Sequence, residues 1–250
     1  MSIITIATDF GNSDGYTAAL IGVIKTIAPK SEIVIVANEL ESIAKASFSL
    51  TRYYAEYPAS TIHLVIVDPT VGSSRRAIAG TDGKYFFVGP DNGVFSYLIN
   101  NDTKIKWFEI NPLKLPAREI SSTFHGRDIF APAAAFLADG NPIDSLGQPI
   151  SEPVLLSITQ PVYQSGEIIG DIIDVDSFGN LILNIPGVKL GKSPRIIVKN
   201  ETIPFVKTFS DIPEGQPLAY IGSMGLLELA INRGRADEYF KAGSRIIVTT

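Results

Sequence analysis

The sequence has 250 residues, of which 45% are hydrophobic and 19% are charged, and it includes 21 glycines and 16 prolines. This is the composition of a globular protein, and the length is sufficient for one large domain or two smaller ones. The formal net charge is -5, and no run of lysines and arginines is long enough to follow a phosphate backbone, so we expect no nucleic acid partner.

The chain contains no cysteine, which excludes disulfides and thiolate metal ligands and favours a reducing, cytoplasmic location. The first residues, MSIITIATDFG, carry a short apolar run without a basic leader or a cleavage site. They predict a core strand rather than a signal peptide. No segment approaches the roughly 20 uninterrupted apolar residues of a membrane helix, so we expect a soluble protein with no membrane partner.

Short apolar runs alternate with segments of helical period over residues 1–150. The predicted strands are IITIAT, IVIVA, IHLVIVD, YFFVG and IKWFEI, and the predicted helices are YTAALIGVIKTIAP, ESIAKASFSLTRYYAEYP, a segment near Val94, and DIFAPAAAFLADG. This alternation is typical of βαβ units, and nearly all-apolar strands are typical of a sheet buried on both faces. The sequence predicts an N-terminal Rossmann-like α/β domain over 1–150, with a mostly parallel sheet flanked by helices.

The pattern changes in the remainder of the chain to short β-rich runs separated by turn residues. These runs are EIIGDIIDVD, NLILNIP, RIIVKN, ETIPFVKTF, LAYIGS and RIIVTT. They predict a small antiparallel barrel or sandwich, which we assign as a C-terminal antiparallel β-barrel domain over 164–250. The proline- and serine-containing stretch 151–163 is the predicted linker.

Three predicted strands of the first domain are followed by an aspartate: Asp9 in ATDFG, Asp68 in VIVDPTVG and Asp91 in FVGPDNG. Ligands of open α/β sheets bind beyond the carboxyl ends of the strands, so we expect the three to converge. A turn former or helix cap is the alternative for each of them. Nearby glycines favour the functional interpretation, because they allow a backbone to approach a ligand closely.

Two arginines, Arg75 and Arg76, follow Asp68 across a turn that contains Pro69 and Gly72. The loop can therefore return an arginine to Asp68, where a guanidinium would orient the carboxylate and favour its ionised form. A solvated pair of surface arginines is the alternative.

The chain has only two histidines. His63 lies within the apolar strand IHLVIV, whereas His125 lies in STFHGRDIF, between a predicted loop and a helix. Gly126 and Asp128 predict a tight loop there, with an N-terminal cap on the following helix. His125 is therefore the better catalytic candidate, with a structural role as the alternative.

The sequence argues against a metal centre, because the histidines are separated and neither HExxH nor calcium-loop spacing occurs. A metal-dependent phosphoesterase that uses Asp9, Asp68 and Asp91 is a minor alternative. The loop VGSSRR also lacks the P-loop pattern. In VDSFGNLILNI an acid, an aromatic residue and an amide share one turn, for which a plain hairpin bent at Gly179 and Asn180 is the alternative.

Six motifs follow one another along the chain: TDFG, VDPTVGSSRR, VGPDNG, FHGRD, DSFGN and YIGSMGLLELAIN. In this combination and order, the sequence resembles the S-adenosylmethionine hydroxide adenosyltransferase family, related to fluorinating and chlorinating enzymes. The resemblance implies an N-terminal α/β domain, a C-terminal β-barrel, and a homotrimer with active sites between subunits. It also implies hydrolysis of S-adenosylmethionine to adenosine and L-methionine, by attack of water or hydroxide on the ribose 5′ carbon without a cofactor.

The resemblance also implies roles for individual residues. Asp68, Arg75 and His125 match the catalytic triad that acts on the attacking water. The residues implied to bind the substrate are Asp9 at the ribose hydroxyls, Asp176 and Ser223 at the methionine amino and carboxylate ends, Asn180 and Phe178 at the adenine, and Tyr220 and Glu228 in the rest of the pocket.

The halogenating relatives typically have tyrosine in place of the triad aspartate, lack FHGRD, and carry an extra loop in the first domain. The presence of Asp68 and FHGRD favours water over halide, with a halide-dependent adenosyltransferase or a non-catalytic S-adenosylmethionine-binding module as alternatives. The sequence departs from the family pattern at Thr70, where glycine is common, at Ser177, where a basic residue is frequent, and at the variable position Met224. We expect Thr70 to alter the loop beside Asp68.

Overall fold

The computed structural model describes residues 2–101, 104–116, 119–191, 193–240 and 246–249. The chain divides into two compact units, Met1–Ser157 and Ile158–Thr250. The division falls inside 151–163, and the role of that segment as a linker remains a prediction. No helix in the described ranges is long and apolar enough to cross a membrane.

The first unit has, in its described part, one sheet of seven strands in the order β2-β1-β3-β5-β4-β6-β7. The strands are β1 (Ile3–Thr8), β2 (Glu32–Ala37), β3 (Ile62–Ile66), β4 (Ala77–Thr81), β5 (Phe86–Pro90), β6 (Lys106–Glu109) and β7 (Pro149–Ile150). The helices are α1 (Tyr16–Ile27), α2 (Ile43–Tyr53), α3 (Ser96–Asn101) and α4 (Ala131–Ala138). The strands β2, β1, β3 and β5 run parallel, whereas β4, β6 and β7 pair antiparallel, so the sheet is mixed.

Strand β4 is absent from the sequence-based prediction. Its sequence, AIAGT, has Ile78 as its one large apolar residue and lacks the run of large apolar side chains that identifies the other strands. A side chain at Gly80 would collide with the Trp107 ring of β6, so the small residue leaves the room that this ring fills. Pairing of β4 with both β5 and β6 begins the antiparallel half of the sheet.

Side chains of the parallel strands alternate between two apolar cores, as the pleat of a strand requires. On one face, Ile6 and Leu64 pack with α1 and α4, and on the other face, Val65 and Phe87 pack with α2 and α3. The predicted sheet flanked by helices is therefore confirmed as a three-layer α/β/α arrangement.

The chain order creates a switch point at β1. Helix α1 leads from β1 to β2 on one side, and α2 then returns the chain across β1 to β3 on the other side. Ligands of such sheets bind in the crevice beyond the carboxyl ends of the strands at this point. Asp9 directly follows β1 and Asp68 follows β3 by two residues, so the topology brings both to this crevice.

His63 belongs to the core of this unit. Its ring is fully buried between aromatic side chains that include Tyr57 and Phe87, and its Nδ1 lies 2.8 Å from the Thr5 hydroxyl. Burial lowers the pKa of His63 to about 3, against the opposing effect of a backbone hydrogen bond at Tyr54. The ring is therefore neutral at physiological pH.

The second unit contains two antiparallel sheets in its described part, with the orders β10-β11-β15-β14 and β13-β12-β16-β9-β8. Its elements are β8 (Val162–Gln164), β9 (Glu167–Gly170), β10 (Ile172–Val175), β11 (Leu181–Pro186), β12 (Arg195–Val198), β13 (Glu201–Ile203), β14 (Pro217–Ile221), β15 (Leu226–Ile231), α5 (Ala236–Tyr239) and β16 (Ile246–Thr249). One core, including Leu183, Leu229, Ile196 and Val248, is shared by both sheets. The predicted antiparallel second domain is confirmed, and its closure into a barrel remains a prediction.

Candidate active site

Asp68 and Arg75 form a buried ion pair across the loop between β3 and β4. The Arg75 Nε lies 2.9 Å from both carboxylate oxygens of Asp68, and its Nη2 also contacts Oδ2. The two side chains are only 6% and 7% exposed. The guanidinium carbon lies 5.1 Å from the centroid of the Phe130 ring. This charge-assisted contact, backed by an aromatic face, holds the guanidinium in one orientation.

His125 joins this pair through Arg75. The Nδ1 of its ring lies 2.9 Å from the Arg75 Nη2. Because a guanidinium has only N–H donors, Nδ1 accepts this hydrogen bond, and the proton of the neutral ring resides on Nε2. Burial and the Arg75 charge lower the pKa of His125, against the opposing charges of Asp68 and Asp128. The neutral ring therefore presents a donor at Nε2.

His125 lies immediately before a π-helical turn, Gly126–Phe130, that continues into α4. Such turns are rare and occur frequently at functional sites. The prediction that Asp128 caps the helix is wrong, because its carboxylate instead accepts the Ser121 N–H at 2.9 Å and pairs with Arg127. Asp128 thereby ties the loop before His125 to the turn that follows it.

Gly72 explains how two distant loops meet. It has a φ of 83°, and a side chain there would collide with the carbonyl oxygen of Ser122. Only glycine allows the loop after Asp68 to approach the loop before His125 this closely without strain. Arg75 can therefore reach His125, although 50 positions separate them in the sequence.

Asp9 adds a second carboxylate beside Asp68. Its Oδ2 accepts the backbone N–H of Asp68 at 3.1 Å. Partial burial raises the pKa of Asp9, and the nearby Asp68 charge adds to the rise, whereas the hydrogen bond from the Asp68 backbone opposes it. Two of the three aspartates that follow predicted strands are therefore neighbours.

Asp91 follows β5, the strand beside β3, and its neighbour Asn92 donates to the Val67 carbonyl at 2.9 Å, but the Asp91 carboxylate itself is bound by other partners. Its carboxylate lies 2.7 Å from the Arg76 Nε and 2.7 Å from the backbone nitrogen of Val154. Each of its oxygens therefore has a partner outside the Asp68–Arg75–His125 group. Over the part of the chain that the structure describes, no three histidine, aspartate or glutamate side chains are grouped as a metal site would require.

Thr70, where the sequence departs from the family pattern, contacts the triad directly, because its hydroxyl donates to Asp68 Oδ1 at 3.3 Å.

Three aromatic residues beside the site do not stand out in the sequence. Phe10, Tyr16 and Phe124 form an aromatic cluster, with ring centroids 5.2 to 6.0 Å apart, beside a cavity of about 360 Å³. Their positions next to Asp9 and His125 in TDFG and TFHG are the signal that could have found two of them.

In the second unit, Asp176 organises the turn between β10 and β11. Its Oδ1 accepts the backbone N–H groups of Phe178 at 2.9 Å and Asn180 at 2.8 Å, and its Oδ2 accepts the Asn180 amide at 2.9 Å. Phe178 is left 75% exposed. These three predicted binding residues share one cavity of about 640 Å³, lined by Asp176, Phe178, Asn180, Phe209, Ile231, Arg233, Gly234 and Arg235.

The other predicted binding residues of this unit lie on the neighbouring hairpin of β14 and β15. Tyr220 and Glu228 are paired across it, and the Tyr220 hydroxyl donates to the Glu228 carboxylate at 2.5 Å. Burial, this hydrogen bond and the charges of Glu228 and Asp176 raise the pKa of Tyr220. Ser223 lies in the exposed turn of the hairpin. Tyr220, Glu228 and Ser223 do not line the 640 Å³ cavity.

A buried Asp68–Arg75 ion pair joined to the half-buried His125, beside a second carboxylate at the switch point of an α/β sheet, is typical of an enzyme active site. Comparison with known proteins agrees with this class. Residues 4–147 match the SAM hydroxide adenosyltransferase N-terminal domain, and residues 170–249 match the C-terminal domain of the same family. The chain belongs to the SAM hydroxide adenosyltransferase family.

Individual relatives cover nearly the whole chain. The (R)-S-adenosyl-L-methionine hydrolase of Thermus thermophilus is 35% identical over 92% of this chain and 92% of its own length. A fluorinase of Actinoplanes is 29% identical over 99% of this chain and 97% of its own length. The crystal structure of an uncharacterized conserved protein from Thermotoga maritima has a TM-score of 0.88 at 35% identity, covering 99% of this chain and all of that one.

Proposed function

We propose that this chain hydrolyses S-adenosylmethionine to adenosine and L-methionine. The contiguous Asp68–Arg75–His125 group carries the proposal, because it supplies a buried, oriented acceptor and a donor for one water molecule. The higher identity to a relative named S-adenosyl-L-methionine hydrolase than to one named fluorinase supports water as the nucleophile.

The reaction is a displacement at the ribose 5′ carbon. A bond forms from the water oxygen to this carbon while the carbon–sulfur bond breaks, and the water releases one proton. The sulfonium leaves as the neutral thioether of methionine, so the leaving group needs no acid. The tasks left to the protein are to align the water, to increase its nucleophilicity and to exclude bulk solvent.

The hydrogen bonds of the triad support one division of these tasks among its three residues. Arg75 occupies Nδ1 of neutral His125, so this ring has no free lone pair and acts as a donor from Nε2. Asp68 is then the acceptor for the water, with Arg75 fixing its orientation. The three residues act as a unit in which the carboxylate draws the proton and the imidazole aligns the oxygen.

The substrate contacts follow the family pattern in this proposal. Asp9 receives the ribose hydroxyls, a role suited to an acceptor-only group. A carboxylate offers about four acceptor sites, so Asp176, which accepts three hydrogen bonds in its turn, retains one for the methionine amino group. The further proposed contacts are Ser223 at the methionine carboxylate, Asn180 and Phe178 at the adenine, and Tyr220 and Glu228 in the rest of the pocket.

The proposal also covers the oligomeric state, the cellular location and the cofactor requirement of the protein. The resemblance to the family supports a cytoplasmic homotrimer, with a β-barrel second domain and active sites between subunits. No cofactor takes part, because displacement of a sulfonium requires none. The absence of cysteine from the sequence supports the cytoplasmic location.

A product assay with and without halide tests the proposal. The purified protein is incubated with S-adenosylmethionine in chelator-treated buffer, alone and with fluoride or chloride, and the nucleosides are separated by chromatography. We expect adenosine under all conditions. Formation of 5′-halo-5′-deoxyadenosine would establish the halide-dependent alternative, and tight binding without any product would establish a binding module.

A further inference from the structure

Arg76, the neighbour of Arg75 in the sequence, is held by a second buried carboxylate. Its Nε lies 2.7 Å and its Nη2 lies 2.6 Å from the Asp91 Oδ2. The Asp91 side chain is only 2% exposed. The backbone N–H of Asp91 also donates to the Arg76 carbonyl at 3.0 Å, so side chain and main chain both fix Arg76.

The same pair fastens a segment of the chain that lies far away in the sequence. Asp91 Oδ1 accepts the Val154 N–H at 2.7 Å, and the Arg76 Nη2 donates to the Glu152 carbonyl at 2.7 Å. Further along this segment, the Leu156 N–H donates to the Ser96 hydroxyl at 2.8 Å. We call residues 152–156 the strap. Asp91 is therefore the shared acceptor of Arg76 and the strap.

The position of Arg76 fixes the backbone point from which the Arg75 side chain extends toward Asp68 and His125. Arg75 contacts both residues at once, and its guanidinium has hydrogen bonds of 2.9 Å to each of them. Residues 69–74 form an irregular loop before it, whereas Arg76 leads directly into β4. The rigid end of the loop is therefore the Arg76 end.

We propose that Asp91 is a positioning residue for Arg75, acting through Arg76 and the start of β4. It touches neither Asp68 nor His125, and it orients the triad by fixing the backbone beside Arg75. The expected fall in kcat rests on the proposed function, whereas the expected loosening of the His125–Arg75 contact does not.

Asp91→Asn tests this role, because the substitution preserves shape and removes the charge that Arg76 needs. We expect kcat for S-adenosylmethionine to fall about tenfold, since small misplacement of a catalytic group is costly, with KM changed less than about twofold. Asp139→Asn is the matched control, because it makes the same chemical change at an exposed position after α4 and should leave kcat unchanged.

The titration of His125 by NMR gives a second readout that needs no turnover. The charged groups that act on this ring are Arg75, Asp68 and Asp128, and the Arg75 charge lowers its pKa. If Asp91→Asn loosens Arg75, the midpoint of His125 rises toward its ordinary value. Loss of the Asp91 charge alone would lower the midpoint instead, so the direction separates the two causes. His63, the other histidine, is buried and neutral near physiological pH, so its unchanged signals serve as an internal reference.

Arg76→Lys provides a variant that keeps the charge, in case Asp91→Asn does not fold. Lysine cannot bridge Asp91 and the Glu152 carbonyl in the manner of a guanidinium, so we expect a smaller fall in kcat and a smaller rise of the His125 midpoint. Wild-type kcat together with an unchanged or lowered midpoint in the folded variants would overturn the proposal. If the wild-type protein does not turn over S-adenosylmethionine, the proposed function fails, and the His125 midpoint still decides the role of Asp91.

Discussion

Replacement of Asp68 by asparagine is expected to lower kcat about 10³-fold, a larger loss than we expect from any other single substitution in the triad. The amide keeps the size of the side chain but removes the charged acceptor that draws a proton from the water. It also turns N–H groups toward the Arg75 guanidinium, which has no acceptor to offer. Steady-state kinetics with S-adenosylmethionine measure the loss.

The same substitution should destabilise the first unit. Arg75 is 7% exposed, so the variant leaves a buried charge without its partner. Breaking such a pair from one side typically lowers the free energy of unfolding by about 3 kcal/mol, which thermal denaturation would detect. Asp139→Asn again controls for the loss of one charge. A folded Asp68→Asn variant with wild-type kcat would remove Asp68 from the reaction.

Replacement of His125 by alanine is expected to lower kcat about 10²-fold while substrate binding changes less than about threefold. The ring aligns the water through Nε2, a task that matters for the displacement and not for holding the substrate. Calorimetric titration with S-adenosylmethionine measures the binding, and product formation measures the turnover. Retention of wild-type turnover would show that the triad assignment is wrong.

The pH dependence provides a companion test of the protonation state of His125. Its pKa lies below the ordinary value of 6.5, because burial and the Arg75 charge disfavour the imidazolium. Protonation would place a proton on Nδ1, where Arg75 already donates. The midpoint of the fall in rate on the acid side should therefore lie below pH 6.5. A midpoint above this value in the pH profile of kcat/KM would contradict a neutral, Arg75-bound ring.

Much of the α/β unit follows from its sequence, because strands buried on both faces appear as apolar runs such as IHLVIV. Strand β4 is an exception, since AIAGT has a single large apolar residue and a glycine, Gly80, at the position that the Trp107 ring covers. The π-helical turn before α4 also leaves no signal, because one extra residue per turn does not change an apolar segment such as DIFAPAAAF in any visible way.

The site was predictable to the extent that strand ends converge. Asp9 and Asp68 follow neighbouring strands at a switch point, and the sequence predicts that these two aspartates converge. The different tasks of Arg75 and Arg76 are not visible in the sequence, because adjacent residues leading into a strand point in opposite directions. One reaches Asp68 and the other reaches Asp91. Contacts between residues 50 or more positions apart, such as the contact of Arg75 with His125, depend on tertiary packing alone.

The source of the oxygen in the product tests the central claim most directly. The protein is incubated with S-adenosylmethionine in oxygen-18-labelled water, in halide-free and chelator-treated buffer. The products are separated by chromatography, and their masses are determined by mass spectrometry. We predict adenosine with one heavy oxygen atom in its 5′ hydroxyl, together with an equal amount of unlabelled methionine. Adenosine without the label, or no adenosine despite measurable binding of the substrate, would contradict water as the nucleophile.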